Sequence, residues 1–371
     1  MTAVLHSEES LYLALELSNA NWKLAFSTGG KIRLVNVAAG AQARLLEAVT
    51  LAKKKLGLPA DAPVRSCYEA GRDGFWIHRW LATQHITNLV VDPASIAVDR
   101  RQRRAKTDRL DAELLVRMLL RHYREPENKV WKVVRVPSAA EEDQRRVHRE
   151  RERLVAERTG HVNRIRALLV LHGIRIPKLK RLVLEQVRDW AGESLPSQLQ
   201  AELQREFARW ALVEQQLRTL QQFQEQRLAT PQTTAEQQAQ HLMLLYSLGP
   251  VSAWTLCHEF FSFRQFRNRR QLGALAGLTG TPYDSGGSRR EQGISKAGNA
   301  RVRTLLIELA WAWLRFQPGS ALSVWFRQRF GAGTARQRRV GIVALARKLL
   351  IALWKYVDHG EVPVGARLRA T

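Results

Sequence analysis

Leu11-Tyr12-Leu13-Ala14-Leu15-Glu16 is a short apolar run that ends on a carboxylate, and its reading decides the fold. A continuous apolar stretch of this length, bounded by a polar turn, predicts a strand buried on both faces. After the turn, Trp22-Lys23-Leu24-Ala25-Phe26 alternates as a second strand does. Gly29-Gly30 is a hairpin signal, and Ile32-Arg33-Leu34-Val35-Asn36-Val37 alternates again. Residues 41–56 carry helical periodicity. Val64 to Tyr68 predicts a fourth strand with Glu69 at its end, and 74–83 a short helix. Asn88-Leu89-Val90-Val91-Asp92 predicts a fifth strand, and 106–122 a helix.

Three meandering strands followed by alternating helix and strand is the layout of an RNase H-like (RuvC-like) α/β domain, expected here over residues 1–135. Such a domain projects carboxylates from its first strand, its fourth strand and a late helix. Glu16, Glu69 and the pair Asp108/Asp111 occupy those places. Within Lys106-Thr107-Asp108-Arg109-Leu110-Asp111-Ala112 the two aspartates are one helical turn apart, so they share a face. Four carboxylates brought together repel one another unless divalent cations neutralise them. Hard oxygen ligands suit Mg²⁺, with Mn²⁺ as its substitute, and paired Mg²⁺ is a common device for breaking phosphodiesters. The bland alternative makes Asp108 and Asp111 surface partners of Arg104 or Arg109, worth little. Glu16 and Glu69 weigh against it, because acidic residues form strands poorly and are rarely buried unpaired. Asp92 and Asp99 are rival ligands, although Asp92 precedes Pro93 and reads as a turn cap.

The net charge is +25, with 59 Lys+Arg against 34 Asp+Glu. That excess is out of place in an enzyme of small metabolites and points to a polyanionic partner, since each neutralised phosphate releases a counterion. Runs such as Arg100-Arg101-Gln102-Arg103-Arg104 have little purpose in water alone. Arg100, Arg101, Arg103, Arg104, Lys106 and Arg109, together with Arg289, Arg290 and Lys296, are the expected nucleic-acid contacts. Two cysteines, Cys67 and Cys257, exclude a disulfide scaffold or a cysteine-based zinc site and are expected in the core. No histidine pair has metal-ligand spacing. No signal peptide or membrane-length apolar run is present, so a cytoplasmic protein with no membrane partner is expected.

From about 139 to 228 glycine nearly disappears, and Val147, Leu154, Val162, Ile165, Leu168 and Leu169 recur at helical spacing. Two long helices are expected, interrupted near His172–Pro177 and Gly192–Pro196, pairing as a coiled coil within or between subunits. With a Thr/Gln-rich linker over 226–240, this defines an assembly region at 136–240. A mostly helical domain follows at 241–356, then a basic tail at 357–371. Leu245-Tyr246-Ser247-Leu248-Gly249-Pro250-Val251-Ser252-Ala253 reads either as a helix-hairpin-helix holding a phosphate on its amides or as an ordinary tight turn. Gly277 to Ser288 is a loop rich in Gly, Ser and Thr, flanked by Arg289, Arg290 and Lys296. Its Ser285 is either part of a flexible turn or a nucleophile able to hold a broken DNA end. Tyr283 and Ser288 compete for that role.

Taken in order, four segments resemble one family. They are Leu13-Ala14-Leu15-Glu16-Leu17-Ser18 with Trp22-Lys23-Leu24, Tyr68-Glu69-Ala70-Gly71, Lys106 to Ala112, and Asp284-Ser285-Gly286-Gly287 leading to Ile294-Ser295-Lys296-Ala297-Gly298-Asn299. The chain is similar over nearly its whole length to the DEDD transposases of insertion-sequence family one-hundred-ten, eleven-eleven subgroup. These are relatives of the Piv invertase, known as bridge-RNA-guided recombinases. The resemblance implies a carboxylate tetrad at Glu16, Glu69, Asp108 and Asp111, a nucleophilic Ser285, Mg²⁺, and a Holliday-junction-like intermediate. It also implies target and donor DNA, a structured bridge RNA as guide, and a tetramer. The departure is Glu16, where the family has aspartate; its extra methylene puts the metal geometry in question. A RuvC-like nuclease or junction resolvase without a covalent intermediate is the alternative enzyme, and an RNA-binding scaffold the non-enzymatic one.

Overall fold

A computed structural model describes residues 9–96, 107–179, 182–285 and 288–369, with side chains left aside at 283–291. The chain divides into two compact units, Met1–Pro137 and Ser138–Thr371.

The first unit begins with β1 (Leu11–Leu17), β2 (Asn21–Ser27) and β3 (Arg33–Ala38), an antiparallel meander. Then come α1 (Gln42–Lys55), β4 (Val64–Glu69), α2 (Trp76–Thr83), β5 (Thr87–Val91) and α3 (Asp108–Arg124). The sheet order is β3-β2-β1-β4-β5, with β4 parallel to both β1 and β5. Each predicted strand and helix of this region is present within a residue or two of its expected bounds. The two faces of β1 explain its apolar run. Leu11, Leu13 and Leu15 pack with Leu45, Val49 and Ala52 of α1 and Ile77 and Leu81 of α2. Tyr12 and Ala14 face the other way, with Cys67, against Ala112, Leu115, Val116 and Leu119 of α3. A strand between helical layers has no solvent face on which to place polar residues.

The second unit holds α4 (Ala139–Asp143), α5 (Arg146–Val170), α6 (Ser197–Ala229), α7 (Thr234–Met243), α8 (Pro250–Leu256) and α9 (Arg269–Leu275). The hairpin β6 (Gly280–Ser285) and β7 (Ser288–Ile294) precedes α10 (Ala300–Phe316), α11 (Ala321–Phe330) and α12 (Ala335–His359). As expected, α5 and α6 are long and broken where glycine and proline interrupt them. They pair antiparallel within the chain, Leu154 meeting Val213 and Leu217 while Ile165 and Leu169 meet Leu203. The C-terminal helices enclose the larger core around Trp254, Trp313, Leu345 and Leu349.

Two expectations are corrected here, the linker and the serine loop. Residues 226–240 are not a linker, because α6 continues to Ala229 and α7 starts at once on a Thr233/Glu236 capping box. Glu236 also accepts from Arg227 Nε at 2.7 Å, which ties the two helices together. The basic tail is tied to the rest of the unit: Arg367 N donates to Gln317 Oε1, and Tyr246 N and Arg369 N reach Arg367 O and Leu244 O. The serine loop is a two-stranded hairpin. The Leu245–Ala253 segment joins α7 to α8, its Tyr246 and Leu248 amides engaged by Arg367 and Leu245 carbonyls. Among the described residues no helix is long and apolar enough to cross a membrane.

Candidate functional site

The carboxylates of the first unit are placed by strand register and helix direction. Leu15 pairs with Tyr68 on the adjacent parallel strand, so Glu16 and Glu69 lie side by side at the C-terminal ends of β1 and β4. Alternation puts Glu16 on the face of Tyr12 and Ala14, and Glu69 on the face of Cys67, which is the face that α3 covers. Both line one cleft of about 430 Å³ with Ser18, Asn19, Gly71, Arg72 and Asp73. Asp73 is a carboxylate that the sequence reading missed. It sits 3.6 Å from Arg72, and its position four residues past Glu69 was the available signal.

Helix α3 runs antiparallel to β1. At one end the Tyr123 ring lies 6.0 Å from that of Tyr12. In the middle Cys67 Sγ lies 3.8 Å from Leu115 O. From there one helical turn back to Asp111 covers about 6 Å, and two strand residues on to Glu69 cover about the same. The N-terminus of α3, with Asp108 and Asp111 in its first turn, therefore lies toward the sheet end that carries Glu16 and Glu69. Thr107 caps this turn, accepting from Leu110 N at 3.3 Å, and the exposed helix amides there favour negative charge.

The ion pair with Arg109 is not what forms. Arg109 donates to Glu113 Oε1 at 2.9 Å, and Arg117 approaches the same carboxylate. Among the described residues neither Asp108 nor Asp111 has a salt bridge or a side-chain hydrogen bond. Asp92 is the turn cap expected of it, accepting from Ala94 N at 3.0 Å. Asp99, Arg100, Arg101, Arg103, Arg104 and Lys106 lie outside the described residues. The all-oxygen donor set is right in kind for Mg²⁺. Among the described residues, however, no three His, Cys, Asp or Glu side chains come close enough together to hold a metal ion. The structure brings Glu16 and Glu69 into one cleft and directs Asp108 and Asp111 toward the same end.

In the second unit Ser285 is the last residue of β6 and faces Ser288 of β7 across the turn. Arg289 and Arg290 are opposite Asp284 and Tyr283. The base of the hairpin is closed by the segment that follows it. Ser295 N donates to Thr279 O at 2.8 Å, and Asn299 N to Leu275 O at 2.8 Å. Gly298 (φ +115°) passes so close to Leu275 O that a Cβ would lie 2.2 Å away, so only glycine fits. Lys296 has φ +56°, a left-handed conformation unusual for lysine.

Beneath this base is a buried polar cluster that the sequence reading also missed. Glu259 is 1 % exposed and lies in a π-helical turn over Cys257–Phe261. It accepts from His148 Nε2 at 2.8 Å, Arg149 Nε at 2.6 Å and Asn299 Nδ2 at 3.1 Å. Burial would raise its pKa, but the hydrogen bonds from His148 and Arg149 prevail and hold it well below the carboxylate range. Asn299 Oδ1 meanwhile caps α10 through Val302 N. Glu259 thus fixes the helix that anchors the hairpin's exit. The neighbouring His258 is pushed down to about 4, chiefly by burial. Both cysteine thiols are buried, which raises them far above the usual thiol range.

Comparison with known proteins matches both regions. Residues 37–174 match the model of the IS110-type DEDD transposases, a span that includes Glu69, Asp108 and Asp111 but not Glu16. Residues 239–324, which include the hairpin, match the transposase IS116/IS110/IS902 family. A putative transposase, y4rJ, of Sinorhizobium fredii is 43% identical, over 99% of this chain and 97% of its own. The transposase for insertion sequence element IS1328 of Yersinia enterocolitica is 28% identical, covering 58% of this chain and 63% of its own. The transposase for insertion sequence element IS1111A of Coxiella burnetii is 27% identical, covering 69% and 68%. The chain therefore belongs to the insertion-sequence transposases of the IS116/IS110/IS902 family and is a DNA-processing enzyme.

Proposed function

We propose that this transposase cuts and rejoins DNA through a covalent 5′-phosphoserine on Ser285, with Glu16, Glu69, Asp108 and Asp111 as its metal-binding carboxylates. The observation that carries the reading is the antiparallel run of α3 against β1, which directs both aspartates toward the sheet end of both glutamates. Mg²⁺ bound there would neutralise charge building up at the scissile phosphate.

Ser285 Oγ attacks the phosphorus. The phosphorus–O3′ bond breaks, and the serine proton ends on the departing 3′ oxygen. Attack by the exchanged strand's 3′-hydroxyl on the phosphoserine restores a phosphodiester and returns a proton to Ser285. The phosphoester bond is conserved throughout. Exchange of one pair of strands leaves a Holliday-junction-like state. A structured bridge RNA, paired with target and donor DNA, supplies the sequence reading. The net charge of +25 supports this division, with phosphate contacts supplied by the protein and base reading by base pairing. Helices α5 and α6 are the element assigned to assembly into a tetramer.

Wild-type protein, RNA, DNA and Mg²⁺ resolved on a denaturing gel should give a serine–DNA adduct. Ser285→Ala should bind DNA and RNA as before yet give none, and Asp108→Ala should neither cut nor link. Cleavage without linkage by Ser285→Ala overturns the reading in favour of a water-using nuclease or junction resolvase.

A further inference from the structure

Helix α12 carries a stripe that the core takes up only in part, Val343 and Ile351 packing against it. Arg336, Arg339, Val340, Val343, Arg347 and Ile351 recur at three- and four-residue intervals and line one wall of a cleft of about 1070 Å³. Val340, in the second turn of the helix, is 61% exposed although it is a valine. The facing wall is Arg269, Arg270, Lys296 and Arg303, and Gly280, Gly293 and Ile294 place the cleft at the base of the serine hairpin.

Two properties define what the cleft takes. The first is uncompensated charge. With Lys348 it gathers eight cations, and among the described side chains no acidic residue lines it and none of the eight has a salt bridge. Elsewhere in the same unit basic residues are paired, as in Arg153–Glu157, Arg158–Glu214 and Arg164–Glu202. The cleft cations are braced instead of neutralised: Arg303 donates to Lys296 O at 2.8 Å, and Lys348 Nζ lies 4.6 Å from the Trp325 ring centre. A concentration of positive charge of this kind favours a multivalent anion.

The second property is the floor, formed by Leu278, Ile294, Ile307 and Val343. The stripe from Arg336 to Ile351 spans about 22 Å at 1.5 Å per residue, far more than a lone phosphate needs. A duplex turns its phosphates outward and hides its bases, so it offers an aliphatic floor nothing. An unpaired strand offers both a phosphate backbone and exposed base faces.

We propose that this cleft binds one unpaired strand of polynucleotide, phosphates on the arginine rim and bases against the aliphatic floor, beside the hairpin that carries Ser285. This rests on the reading that the protein acts on nucleic acid, and it names the form in which the strand is held.

The test is fluorescence anisotropy on the full-length protein at several salt concentrations. Its probes are a single-stranded DNA of about twelve nucleotides, the RNA of the same sequence, and the corresponding duplex. Two variants are compared with wild type: Arg336→Gln/Arg339→Gln/Lys348→Gln, and Val340→Glu. All four positions are exposed, so both variants should fold. Single-strand affinity should fall about tenfold or more in each. In the triple variant the salt slope should flatten by about two, while duplex binding changes little. Tighter wild-type binding of the RNA would assign the strand to the guide, and of the DNA to the substrate. Unchanged single-strand binding in both variants, or an equal loss of duplex binding, overturns the proposal. Failure of the wild type to bind any of the three probes would instead overturn the functional reading beneath it.

Discussion

Replacing Glu259 by glutamine tests whether the buried cluster holds the serine hairpin in place. The variant keeps the volume but loses the charge. Its amide presents donors where Arg149 or Asn299 also presents donors, so at least one of the observed hydrogen bonds becomes a repulsion. Removing one member of a buried ion pair costs about 3–5 kcal/mol. Arg149 is 42% exposed and recovers some hydration, so the lower figure applies. A loss of about 3 kcal/mol lowers the melting temperature by roughly 10 °C in a unit of this size. The pH dependence is the more specific readout. Glu259 is held below the ordinary carboxylate value in the folded protein, so its contribution is complete above that value and is lost as pH falls through the folded one. In differential scanning calorimetry the gap between wild type and Glu259→Gln should be full at neutral pH and should narrow below about pH 4.5. A gap under about 2 °C, or one that does not change with pH, refutes the reasoning.

Further outcomes follow from other places in the fold. His85 sits at φ +56° just after α2, where its N–H reaches Ala82 O and that of Ile86 reaches Leu81 O; His85→Gly should stabilise the first unit by about 1 kcal/mol in urea unfolding. Leu119 is fully buried between α3 and the sheet, so Leu119→Ala should cost about 2–5 kcal/mol and reduce cleavage by loosening the helix that carries Asp108 and Asp111. Ending the chain after His359 removes the contacts of Arg367 and Arg369 and should lower the melting temperature by several degrees in a thermal scan, whereas a free tail would leave it unchanged.

Much of the first unit was legible because its signals are local. A five-residue apolar run, a Gly-Gly turn and alternating strands report burial on known faces, and a carboxylate ending such a run stands out. The second unit hid more. Gln-rich α7 looked like a linker because its helix signal is a cap, Thr233 with Glu236, rather than an apolar stripe. The strands on either side of the serine were missed because composition suggested a loop there. The tail from 360 onward carries no periodicity at all, since it is held by groups distant in sequence, the Gln317 side chain and the backbone of Leu244 and Tyr246. Glu259 was detectable in principle: a single carboxylate inside Trp254-Thr255-Leu256-Cys257-His258-Glu259-Phe260-Phe261 must be buried with partners. Nothing local named those partners as His148 and Arg149.

The central claim is that the sheet's two glutamates and the two aspartates of α3 act together on one metal site. Electron paramagnetic resonance of Mn²⁺ titrated into the full-length protein measures this without any DNA chemistry. Glu69→Gln and Asp111→Asn, made separately, should each weaken the same bound signal that the wild type shows. A wild-type signal unchanged by either substitution would contradict the account.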